Sequence, residues 1–130
     1  MESREEHGTI KSYEDLIVWQ KALDLAEEVY RATRQFPKDE LYGLTSQMRR
    51  AAVSVASNIA EGHEHHSRGE FLQFLGHARG SLAELETQAR LAVRLGFVVS
   101  SVNEDLTAHS AEVGRLLNGL RNSLKRPSSS

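Results

Sequence analysis

Between residues 71 and 92 the apolar side chains alternate in steps of four and three. Phe71, Leu75, Ala78, Leu82, Leu85, Ala89 and Ala92 mark the positions. That period describes one face of a helix packed along another helix, and it persists for about three heptads. Phe74, Ser81, Gln88 and Leu95 lie beside the seam. Gly76 and Gly80 sit one turn apart within it. A glycine costs a helix interior roughly 1 kcal/mol, so the pair predicts a close helix approach. Ser67 followed by Glu70 has the form of a capping box, and Leu95-Gly96-Phe97 is a stop, so the helix is predicted over 68–95.

The stretch before it, QMRRAAVSVASNIAEG, has two faces at helical spacing. Leu44, Met48, Ala51, Ala52, Val55 and Ile59 form an apolar stripe of mostly small residues, which lets a neighbouring helix come near. Gln47, Arg50, Ser54, Asn58 and Glu61 form a polar row. A catalytic triad would need a histidine or lysine partner that this row lacks. Hydrogen bonding between helices or subunits is the better account, with Arg50 closing the network on Glu61 or on a glutamate of the next helix. Gly62 reads as the C-terminal glycine of a helix over 40–62, with Asp39 as its cap.

Two more helices complete the chain. The first is predicted over 13–35, with Ser12 as N-cap and Glu14 and Asp15 in its first turn. Its face is read as Leu16, Trp19, Leu23, Ala26, Tyr30 and Thr33, widened by Ala22, Val29 and Phe36; Ile17 and Val18 point elsewhere. Trp19 is a core or interface anchor. Phe36-Pro37 ends the helix. The last is predicted over 101–124, capped by Ser100 or Ser101, with Val102, Leu106, His109, Val113, Leu116 and Leu120 on its face and Leu117 and Leu124 beside them. Only two prolines, Pro37 and Pro127, occur in 130 residues, and no strand-like alternation is present. One all-α domain follows, an antiparallel up-down-up-down four-helix bundle over 13–125, with a flexible acidic segment at 1–12 and a flexible tail at 126–130.

The absence of cysteine rules out disulfides and thiolate chemistry and suits a reducing cytoplasm. The N-terminus has no apolar run resembling a signal peptide, and no segment is apolar for long enough to span a membrane. His63, His65 and His66 invite a metal reading, but the spacing is not that of a helical zinc motif and no distant ligands are evident, so the cluster reads as a solvated loop. Di-iron bundles need Glu-x-x-His on two helices, and no glutamate here has a histidine three residues on. His77 and His109 are isolated. No metal, cofactor or catalytic residue is predicted.

Charge is unevenly placed. Residues 1–15 hold five acids and two bases, whereas beyond Glu112 there are no acids but Arg115, Arg121, Lys125 and Arg126. Arg68, Arg79 and Arg90 are eleven residues apart, close to one angle on a helix, and Arg94 extends the line. With Arg49 and the basic C-terminus these could face phosphates. Glu86 interrupts the line, and without interleaved aromatics base-specific readout is not expected. The plain alternative is a solvated face with intersubunit ion pairs.

SYEDLIVWQKA, VYRATRQFPKDELYGLTSQMRRAAVSVASNIAEG and SRGEFLQFLGHARGSLAELETQARLAVRLG together resemble a known family. It is the four-helix-bundle family encoded by intervening sequences in bacterial 23S ribosomal RNA genes, also called S23-type ribosomal proteins. The resemblance runs from Ser12 to Gly96 and more weakly to Lys125. It rests on Trp19-Gln20, Phe36-Pro37, Tyr42-Gly43-Leu44, Gln47, Arg50-Ala51-Ala52, Ser54, Asn58 to Gly62, Glu70-Phe71 and Gly80-Ser81-x-x-Glu84. The family often carries proline at or beside Ala56; its absence here predicts a straighter second helix. The resemblance implies a bundle assembling as a ring, typically a homopentamer, with no enzymatic activity. It also extends to the accessory protein of diversity-generating retroelements, a pentamer that binds nucleic acid and a reverse transcriptase. Two functions follow as expectations: an oligomer binding RNA or DNA through phosphates, or a scaffold docking a protein such as a reverse transcriptase. Surplus apolar surface on the first and third helices agrees with subunit contacts.

Overall fold

The computed structural model describes residues 12–65 and 67–126; the expectations for residues 1–11, for His66 and for residues 127–130 fall outside the described residues. Ser12 opens the described chain with a reciprocal cap. Its hydroxyl accepts from the Glu14 amide at 3.1 Å, while Asp15 Oδ2 accepts from the Ser12 amide at 3.3 Å. The turn so formed, Tyr13–Asp15, is a 3-10 turn. Extended backbone at Leu16 separates it from α1 (Ile17–Thr33), so the α-helix starts later than predicted.

A second 3-10 turn, Lys38–Glu40, leads into α2 (Leu44–Glu64). The cap is not Asp39, which lies inside that turn. Glu40 reaches instead, its Oε1 accepting from the Leu44 amide at 3.0 Å. α2 runs unbroken through Ala56 and through Gly62. Next come α3 (Arg68–Arg94), with Ser67 Oγ accepting from the Glu70 amide at 2.9 Å, and α4 (Ser100–Lys125). Neither Ser100 nor Ser101 caps α4: the N-cap is Val99, without a side-chain bond.

The α3–α4 turn shows why Gly96 is required. It takes φ of 76°. Its amide bonds to Val93 O at 3.0 Å and the next amide, of Phe97, to Ala92 O at 2.9 Å. These are the two bonds of a Schellman closure, which needs a left-handed residue at this place. The turn delivers Phe97 onto Phe36, ring centroids 5.5 Å apart, and this pair closes one end of the molecule.

Each helix packs on the next and α4 returns to α1, giving a four-helix bundle. α2 and α3 pack most extensively, as the small residues Ala51, Ala52, Ala56 and Ala78 allow; all four are buried. Leu75, Leu82, Leu117, Val55 and Ile59 fill the centre, all fully buried. Two faces are rotated from the expectation. On α1 the core line is Val18, Ala22, Leu25 and Val29, whereas Leu23 and Tyr30 are 41% exposed. On α4 the core positions are Leu106, Ser110, Val113, Gly114 and Leu117, and His109 turns away from them. Among the described residues no helix is long and apolar enough to cross a membrane.

The glycines correct the close-approach reading. Beside Gly76 and Gly80 nothing lies within 4 Å of where a Cβ would stand. At Gly62, read as a helix terminus, a Cβ would meet Phe74 Cβ at 2.6 Å. The tight crossing is therefore at the α2–α3 hairpin, where Gly62 is buried inside a helix. Overpacking costs about 1–3 kcal/mol and removing a helical glycine returns about 1 kcal/mol. Gly62→Ala is expected to lower stability by about 1 kcal/mol in urea unfolding, and Gly80→Ala to raise it by a similar amount. Shifts in the same direction would contradict this placement.

Candidate nucleic-acid interface

Three arginines of α3 lie along the side against which α4 packs. Arg68 Nη1 is 3.4 Å from the Arg126 carbonyl, at the far end of α4. Arg79 Nη1 would stand 3.9 Å from a Cβ at Gly114. Arg90 and Glu86 line a small cavity of about 40 Å³ with Asn103 and Thr107 of α4. Arg121 and Lys125 follow Gly114 by seven and eleven residues, close to its angle on the helix, so they also face the α3 side. Arg121 Nε is buried and makes no hydrogen bond to another described residue. The seam thus gathers Arg68, Arg79, Arg90, Arg121 and Lys125 along one edge, with Arg126 at its end and Glu86 as an acid within it.

Arg94 extends the α3 row one turn past Arg90, at the end of the helix, whereas two other arginines lie apart. Arg49 is committed to the α1–α2 junction: its Nε donates to Thr33 Oγ1 at 2.8 Å, and its guanidinium lies 4.6 Å from the Tyr30 ring centroid. Arg115 is exposed, one residue off the Gly114 line and turned outward.

The polar row of α2 divides. Ser54 Oγ and Ser81 Oγ share a hydrogen bond of 2.9 Å between α2 and α3. Asn58 Nδ2 donates to Ser54 O at 2.8 Å and Ser54 Oγ at 3.0 Å. Gln47, Arg50 and Glu61 are exposed, and among the described residues Arg50 forms no ion pair with Glu61 or with a glutamate of α3, so the expected closure of the network is not formed. Arg50, Ser54, Asn58 and Glu61 instead border a shallow groove whose apolar members include Tyr30, Leu41, Tyr42 and Val53. Tyr42 is 93% exposed. Trp19 is half-buried against the core, edge-on to Tyr13 at 5.2 Å.

Of the histidine segment read as a solvated loop, His63 is drawn into the helix, His65 is exposed just past its end, and His66 lies outside the described residues. His63 lies in α2 edge-on to Phe71 at 5.6 Å, and His65 stacks on Phe74 at 5.0 Å. Among the described residues no group of three or more His, Cys, Asp or Glu is placed to hold a metal ion.

A family model, 23S rRNA-intervening sequence protein, matches residues 14–119. The chain belongs to this family. A crystal structure of a protein of unknown function from the S23 ribosomal protein family of Bacteroides thetaiotaomicron superposes with a TM-score of 0.75 at 22% identity, covering 82% of this chain and 96% of that one. At that identity the likeness establishes the fold. No curated protein matches. The expected family and the four-helix fold are thereby confirmed, and the family's shared four-helix frame is what brings the α3 and α4 bases to one edge.

A histidine that periodicity had assigned to the core sits on the opposite side of α4. His109 Nδ1 forms a short contact with Glu28 Oε1 of α1. The hydrogen bond to Glu28 raises the His109 pKa above its ordinary 6.5; slight burial opposes this, and the charges of Glu28, Asp105 and Glu112 add to it. A pKa higher in the folded state makes the contact stabilising below the unfolded value, with that contribution lost as pH rises through the folded value. In an NMR titration Glu28→Gln is expected to lower the His109 pKa. An unchanged value would show the contact to be absent in solution.

Proposed function

We propose that this protein is a non-enzymatic homo-oligomer that binds RNA or other nucleic acid through phosphate contacts along the α3–α4 edge. The observation that carries the reading is the convergence of Arg68, Arg79, Arg90, Arg121 and Lys125 on one seam. Cations from two antiparallel helices form a line, and a nucleic-acid backbone is a line of anions. The aromatic side chains lie elsewhere, so the contacts favour backbone over base sequence. The membership of the family of proteins encoded by ribosomal RNA intervening sequences is consistent with structured RNA as the natural ligand, and the cytoplasm is the proposed location.

Self-association rests on a second surface. Leu41, Tyr42 and Val53 stand exposed around the α2 groove, an apolar cluster rimmed by Arg50 and Glu61 that suits a subunit contact. By family likeness the assembly is a ring, proposed as a pentamer. Repeating the basic edge around a ring multiplies a weak contact by avidity. The same exposed surface favours a second reading, a scaffold that docks a protein partner such as a reverse transcriptase.

Fluorescence anisotropy with a structured RNA and a DNA hairpin across a salt series separates them, with light scattering for mass. Affinity falling steeply with salt, in an oligomer, supports the first reading. A salt-insensitive or absent interaction overturns it.

A further inference from the structure

Charges on α4 differ between its two packed sides. Arg121 and Lys125 lie toward α3, while Asp105 and Glu112 turn toward α1 and meet Asp24, Glu27 and Glu28 across a groove of about 690 Å³. This space lies within the range of small-molecule sites, roughly 300–1,000 Å³. Its wall and floor at the α3–α4 turn are apolar: Leu25, Ala32, Phe97, Val98 and Val102. Five carboxylates face two permanent cations, Lys21 and Arg31, with His109 beside them. Lys21 is held 3.9 Å from Glu112, and His109 is held by Glu28. Among the described residues Asp24, Glu27 and Asp105 have no hydrogen-bond or ion-pair partner.

We propose that this groove binds a linear aliphatic polyamine. Two independent features select that chemistry, and neither depends on the nucleic-acid reading. The first is spread: Asp105 and Glu112 are seven residues apart, about 10 Å along α4, and the α1 carboxylates oppose them. A single ammonium meets one end of such an array, whereas a chain of ammoniums meets all of it. The second is the floor. Methylene spacers bury against Val98, Val102 and Leu25 while the charged nitrogens remain at the acidic rims. A hydrated metal ion uses the acids and leaves the apolar floor untouched. A polyanion is repelled, so this face and the α3–α4 edge take ligands of opposite sign.

The test is an NMR and calorimetric titration of the full chain, free of nucleic acid, with spermidine at low ionic strength. Magnesium chloride serves as the metal-alone control. The expected result is saturable binding that shifts the Val98, Val102 and Phe97 resonances. Replacing two unpaired carboxylates, Asp24→Asn with Asp105→Asn, is expected to weaken binding about tenfold or more. Val102→Lys, which places a cation on the floor, is expected to weaken it comparably, with helical circular dichroism retained in both variants. Failure to saturate, unchanged affinity in either folded variant, or equal shifts with magnesium overturns the proposal. A variant reversing the opposite edge, Arg90→Glu with Lys125→Glu, is expected to bind spermidine as the native chain does, and loss of spermidine binding in that variant contradicts this assignment.

Discussion

Reversing Arg90 and Lys125 together, to Glu in each case, is expected to reduce polyanion affinity at least about tenfold and to flatten its salt dependence by roughly 0.9 in log–log slope for each phosphate no longer neutralised. Both side chains are exposed, so the fold is expected to change by no more than about 0.5 kcal/mol and the mass of the assembly not at all. These two are better probes than Arg79 or Arg121. Arg79 packs beside Gly114 and Arg121 has a buried Nε, so reversing either would mix charge with packing. Arg49→Glu is the informative contrast: its guanidinium ties α2 to Thr33 and Tyr30, and its loss is expected to affect stability before affinity. Equal affinity of the double variant and the native chain in an anisotropy titration would remove the α3–α4 edge from consideration.

Leu82→Ala should be the most damaging single truncation on α3. Leu82 is fully buried, and its Cδ2 would lie 3.5 Å from a Cβ at Gly114, so it fills the space that this glycine leaves on α4. Core leucine truncations cost about 2–5 kcal/mol, according to how far the surroundings collapse. Gly114→Ala on its own makes an ordinary contact there and removes a helical glycine, which together should stabilise by up to about 1 kcal/mol. In the Leu82→Ala background the added methyl enters the cavity, and the double-mutant cycle should show a favourable coupling of about 0.5 kcal/mol or more. Strict additivity in urea unfolding would mean that the two residues do not share that space.

Much of the frame was legible because it rests on local chemistry. Ser12 and Ser67 cap helices in sequence patterns that name their own partners. Gly96 satisfies a backbone condition that few residues meet. The α3 seam was readable because its apolar residues keep one period without interruption. The faces of α1 and α4 were harder. On α1, Leu16, Trp19, Leu23 and Tyr30 outweigh Val18, Ala22 and Leu25 in any count of large side chains, yet the smaller residues take the core because neighbouring helices come close there. On α4, Ser110 and Gly114 face inward and leave no apolar signature, so the periodicity passed to His109. Gly62 looked like a helix end because glycine commonly serves there; its real function depends on Phe74, a residue of another helix. The arginine row of α3 was visible, but its continuation through Arg121 and Lys125, and the exclusion of Arg49, depend on which helices are neighbours. The α1–α4 groove was not legible for the same reason: its carboxylates belong to segments some eighty residues apart, as Glu28 and His109 show.

The most direct measurement is chemical-shift mapping of the isotopically labelled protein on titration with a structured RNA at low salt. The account predicts perturbations confined to residues around Arg68, Arg79, Arg90, Arg121 and Lys125, vanishing as salt is added, with the α1–α4 groove silent. Perturbations centred on α1 and α2, or none at all with a folded oligomer present, would contradict it.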